Sequence, residues 1–153
     1  MTSSKMLRID LQNDENLANV PKPAQLKKWV ESSLLTVFEQ LEQSIRVVGE
    51  NESRSLNQKY RSIDRPTNVL SFPSESNYLD YECLGDLVIC APVVVAEARQ
   101  QDKSPEAHWA HLVVHGMLHL QGCDHESELE AGKMEDLEIK ILSTLGYSNP
   151  YND

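Results

Sequence analysis

The stretch HGMLHLQGCDHE, residues 115–126, restricts what this chain can fold into more than any other. It sets histidines at 115, 119 and 125, with Gly122 three residues before the last. Residues four apart meet on one face of a helix, with Cβ atoms roughly 5–6 Å apart. His115 and His119 therefore stand side by side if their segment is helical. Gly122 takes the left-handed backbone conformation without a Cβ penalty, so it ends the helix and turns the chain back toward the same face, returning His125. The motif thus predicts a helix, a sharp turn and a return. Three imidazoles close on one cation at Zn–N distances of about 2.0–2.1 Å and leave a tetrahedral position open, the arrangement of a catalytic site.

Other residues near the motif read differently. His111 is eight residues before His119, about 12 Å along a helix axis, too far to share that cation. It is expected either to pack, or to touch the site from behind or from the substrate side; His108 is read as a packing or surface residue. Cys123 is near enough in sequence to be an alternative soft ligand. Metzincin proteases share the histidine spacing but follow the first histidine with a glutamate, their general base. Here that position is Gly116. A peptidase would need a base from elsewhere.

The rest of the chain must build a body around this helix. Alternation in MLRIDLQ (6–12) predicts a strand. Pro21 and Pro23 introduce a helix over roughly Ala24–Glu42, with Leu26, Trp29, Val30, Leu34, Val37, Phe38 and Leu41 on its apolar side. SIRVVGE (44–50) is a second strand, SRSLNQKYRSI (53–63) a short helix, and TNVLSFP (67–73) and LGDLVIC (84–90) two strands joined by turn residues. Pro92 starts a helix to about Gln101, Ser104-Pro105-Glu106 starts the histidine helix, and a last helix spans about Glu126–Leu145, ended by Gly146. In that last helix Leu129, Met134, Leu137, Ile141 and Leu145 are expected to face the core. The order βαβαββααα predicts one α+β domain over residues 1–153, a mixed four-stranded sheet covered by about five helices.

Charge narrows the function. The chain carries a net −10, which argues against indiscriminate nucleic-acid binding. The average conceals a contrast, since residues 54–73 hold Arg54, Lys59, Arg61 and Arg65 against the single acid Asp64. A basic stretch on an acidic body steers a polyanion to that stretch, and arginine can hold two phosphate oxygens at once. Residues 124–138 carry seven acids against Lys133, which reads as the solvated face of a helix. The longest apolar run, Leu87–Ala96, contains Pro92 and is too short to span a membrane. No signal-peptide pattern opens the chain, and three cysteines without C-x-x-C spacing fit a reducing cytoplasm.

Taken together, LNQKYRSIDRPTNVLSFP (56–73), LGDLVIC (84–90), HWAHLVVHGMLHLQGCDHE (108–126) and MEDLEIKILSTLG (134–146) resemble the bacterial YbeY family of endoribonucleases. The resemblance implies a cytoplasmic, metal-dependent, single-strand-specific endoribonuclease. It also implies work on the 3′ end of small-subunit ribosomal RNA and in ribosome quality control. Its implied partners are single-stranded RNA, ribosomal RNA and the ribosome, with ribosomal or assembly proteins possible and no DNA or membrane expected. By the family motif His115, His119 and His125 are zinc ligands and Arg61 is the functional arginine; Lys59, Arg65 and His111 are candidate substrate contacts. Three imidazoles also suit nickel or copper. Cys123 departs from the family, which often has an aromatic residue there. A rival reading is a ribosome-binding assembly factor whose zinc is structural.

Overall fold

Alternating burial builds the sheet. In the computed structural model, which describes residues 6–74 and 82–151, strand β2 (Gln40–Val48) buries Leu41, Gln43, Ile45 and Val47 on one face. It pairs in parallel with β1 (Met6–Gln12) and with β4 (Glu82–Cys90). Strand β3 (Val69–Pro73) pairs antiparallel with β4 at the edge, giving the order β1-β2-β4-β3. Among the described residues the architecture is the expected α+β one, a mixed four-stranded sheet with five helices. The turn expected between the last two strands lies largely outside the described residues.

Each face of the sheet has its own cover. Helices α1 (Pro23–Ser32), α4 (Pro105–Leu120) and α5 (Glu128–Leu145) bury the main core, with Leu41, Ile45, Leu87 and Ile89 beneath Trp29, Trp109, Met117 and Leu142. Helix α2 (Glu50–Arg61) lies on the other face, where Leu56 packs on Val48, Leu70, Val88 and Cys90. Helix α3 (Ala91–Gln100) follows β4 directly and leads into α4. Most positions of α4 are buried, as befits a helix at the centre of the protein. Its start is capped by Ser104 Oγ, which accepts from the Ala107 N–H at 3.1 Å, and α5 begins the same way with Ser127 and Glu130. Such caps contribute about 1 kcal/mol each.

Two expectations need correction. The first helix stops at Ser32 instead of continuing to Glu42. Leu34, Phe38 and Leu41 imitate helical spacing, but Leu41 begins the period-two run 41, 43, 45, 47 that the sheet buries. Gln121 also holds the early end, accepting from Leu35 N–H and donating to Ser33 O, both at 2.8 Å. Val37 is left 66% exposed. In α5 the buried set is Met134, Glu138 and Leu142, flanked by partly buried Leu137, Ile141 and Leu145, while Leu129 stands in solvent.

Candidate metal centre

Two α-helical turns and one glycine assemble the site. His115 and His119 lie on the last turns of α4, one above the other. The Gly122 N–H donates to His119 O and the Cys123 N–H to Leu118 O, both at 3.0 Å, and Gly122 has φ +99°. This left-handed turn is what a side chain would resist. It returns the chain so that His115, His119 and His125 each offer a ligating atom within 4.8 Å of the others. Ring centroids are 4.8 Å apart for 115–119 and 119–125 and 5.8 Å for 115–125. His125 is exposed and the other two half-buried, so the group opens to solvent on one side. The carbonyl end of α4 would add partial negative charge beside a cation held by this group. Burial, then the neighbouring charges of His115 and His125, push the His119 imidazole below its ordinary pKa, toward the neutral form that ligates metal. The donor set fits a transition-metal ion.

One of the three candidate ligands is braced from behind. His115 Nδ1 lies 2.6 Å from Glu138 Oε1, so Nε2 is the nitrogen that would hold a cation. Glu138 has no exposed surface. Burial pushes its carboxyl up, yet hydrogen bonds from His111, His115 and Tyr151 outweigh this and bring the pKa down to about 2. The Tyr151 hydroxyl donates to Glu138 Oε2. Burial and the adjacent carboxylate push that hydroxyl's own pKa up, so it remains a donor.

The remaining candidates are placed as follows. His111 is not part of the ligating group; its Nε2 sits 3.2 Å from the Tyr151 hydroxyl and 3.4 Å from Glu138 Oε1. His108 is buried, with Nε2 at 2.8 Å from Glu97, which also accepts from Asn68. Cys123 is outside the ligating group and packs against the core. Lys59 and Arg61 belong to the last turn of α2, on the face of the sheet opposite α4. Arg65 follows in a segment held by Asn57, whose amide donates to Arg65 O at 2.8 Å. No hydrogen bond or ion pair among the described residues joins these cations to the histidines. Arg54 is paired with Asp64 at 2.7 Å, whereas Lys59, Arg61 and Arg65 have no carboxylate partner among the described residues.

The acidic run after residue 124 is therefore not all solvated face, because Glu138 is its buried exception. The sequence carried a signal for this: Glu138 is one helical turn from both Met134 and Leu142, an acid within an apolar stripe. Tyr151 had no comparable signal, since its partner is known only once the segment after α5 folds back.

Gly116 has a packing reason for being glycine. A β-carbon there would stand 2.7 Å from Leu87 Cδ2 and 3.4 Å from Ser71 Oγ, against the sheet. A metzincin-like glutamate has no room at this position. Gly116→Glu should destabilise the fold by more than about 3 kcal/mol, combining overpacking with a buried carboxylate. Urea unfolding measures this; wild-type stability in the variant would refute the packing account.

Comparison with known proteins adds a relationship. A family model described as Endoribonuclease YbeY matches residues 10–146. An Endoribonuclease YbeY of Nitrosococcus oceani is 52% identical over 137 residues, covering 88% of this chain and 90% of that protein. A solution structure of a Thermotoga maritima protein matches 97% of this chain and all of its own, with TM-score 0.51 and 27% identity.

Proposed function

The chain belongs to the YbeY endoribonuclease family, and on that premise we propose that it is a zinc-dependent endoribonuclease cutting single-stranded RNA. The cellular role proposed is maturation of the 3′ end of small-subunit ribosomal RNA and ribosome quality control, in the cytoplasm, with the ribosome and its assembly proteins as partners. Among the described residues no helix is long and apolar enough to cross a membrane. The observation that carries the reading is the group of three histidines with ligating atoms within 4.8 Å, open to solvent.

When bound, zinc supplies Lewis-acid polarisation and lowers the pKa of water toward neutrality. The chain's own residues do the rest. His115, His119 and His125 hold the ion, and Glu138 fixes the His115 ring. Position 116 contributes no carboxylate, whose charge would repel a phosphodiester. Arg61 is proposed to stabilise charge developing on the phosphoryl oxygens, and Lys59 and Arg65 to contact the RNA backbone. Their lack of carboxylate partners among the described residues of an acidic chain supports this. His111 touches Tyr151 and Glu138, and its proposed contribution to substrate binding comes from behind the metal ligands.

Single-stranded RNA should be cut well ahead of a matched duplex, and casein-type peptides left intact. An unpaired strand brings a flexible phosphodiester to the histidines, while an A-form duplex presents a fixed backbone. Cleavage assays on the three substrates, with metal content measured on the same protein, test the reading. Equal rates on both RNAs count against single-strand specificity, and metal-dependent proteolysis against the ribonuclease assignment.

A further inference from the structure

Helix α5 puts a charge where stability alone asks for an apolar residue. Met134 and Leu142 bracket Glu138 on the buried stripe, and all three are inside the core. Replacing buried ionic groups with well-packed apolar ones is often neutral or stabilising. A carboxylate at this position therefore calls for a reason beyond folding. Its surroundings give one: Oε1 takes His115 Nδ1 at 2.6 Å, and Oε2 accepts from the Tyr151 hydroxyl. Neither His119 nor His125 has a carboxylate within ion-pairing distance among the described residues.

Tyr151 is itself held in place. After Gly146 turns the chain with φ +94°, the Tyr147 hydroxyl donates to Glu106 Oε2 at 2.9 Å and its ring packs edge-on to Trp29. Further along, the Tyr151 N–H donates to Asn149 Oδ1 at 2.8 Å. The Tyr151 ring meets His111 edge-on, centroids 5.3 Å apart. The segment is thus fastened to the first turn of α4 at Glu106 and again at His111 on α4 and Glu138 on α5.

We infer that Glu138 and Tyr151 are positioning residues for the metal ligand His115, so that the segment after α5 sets the metal affinity of a site it does not enter. The inference rests on the metal reading above. An imidazole ligates through one nitrogen, and the hydrogen bond made by the other sets its tautomer and ring orientation. Glu138 fixes Nδ1 as the donor, and Tyr151 keeps the carboxylate from rotating away.

The test uses the full chain, stripped of metal and titrated with zinc against a chromogenic chelator. Glu138→Gln keeps the shape and should weaken zinc binding about 10- to 100-fold. Tyr151→Phe keeps the ring and should give a smaller loss in the same direction. Proton NMR of the metal-free protein should show a downfield His115 Nδ1–H resonance that moves in both variants. A merely structural role would lower the unfolding midpoint while leaving zinc affinity and that resonance unchanged. Folded variants with wild-type affinity overturn the inference while the metal reading stands; a wild-type chain that takes up no zinc overturns both. If Glu138→Gln does not fold, Tyr151→Phe decides alone.

Discussion

His119→Ala should lose both zinc and RNA cleavage while remaining folded. Apparent zinc affinities in structural sites amount to about 10–16 kcal/mol, so losing one of three imidazoles removes several kcal/mol and weakens binding more than about 100-fold. The fold has little stake in this side chain. His119 is half-exposed at the end of α4, whose packing is carried by Trp109, Val113, Met117 and Leu118. Alanine is also the best helix former. Circular dichroism should match wild type, elemental analysis should find little zinc, and cleavage should fall to background. Stoichiometric metal in the variant would show that His119 is not a ligand. Wild-type cleavage without metal would refute metal dependence itself.

The site was legible from sequence to the extent that its chemistry is local. His115, His119, Gly122 and His125 are joined by a helix and one turn, so their convergence follows from backbone geometry within a few residues. Glu138 enters from another helix. Reading the acidic run as solvated face passed over its spacing from Met134 and Leu142, and nothing local says which ring it faces. Tyr151 depends on a fold-back fixed by Tyr147, Glu106 and Trp29, contacts that span most of the chain. The fold shows the same division. Every element was found in its order, because alternation and caps are local signals. The end of α1 was missed because Leu34, Phe38 and Leu41 satisfy helix spacing, and the deciding partners, Gln121 and the sheet, are distant.

Gly116 illustrates how one residue answers to two constraints. From sequence, the missing glutamate bears on chemistry, since it leaves a peptidase without its base. In the fold the same position faces Leu87 and Ser71, where any side chain collides. Packing and chemistry agree, so an added glutamate should cost stability whatever base it could offer.

Arg61→Ala should lower cleavage about 100- to 1,000-fold with zinc content and fold unchanged, the loss typical of removing one preorganised donor to a developing anion. A plainer role competes: Lys59 and Arg61 close α2, where cations favour the helix dipole by about 0.3–1 kcal/mol. That role predicts a slightly lower unfolding midpoint and full activity. The catalytic role has to operate across the edge strand β3, because α2 and α4 cover opposite faces of the sheet. An RNA strand crossing that edge would meet Lys59, Arg61 and Arg65, which have no carboxylate partner among the described residues, on one side and the histidines on the other. Arg61→Lys separates geometry from charge. Guanidinium holds two phosphoryl oxygens in a planar fork, whereas lysine offers a point charge, so Arg61→Lys should recover only part of the rate. RNA binding should weaken less than turnover, since the contact strengthens in the transition state. Cleavage kinetics, RNA affinity and zinc content measured on the same samples decide between the two roles. If binding and turnover fall equally, Arg61 only guides the strand; if neither falls, it only closes a helix.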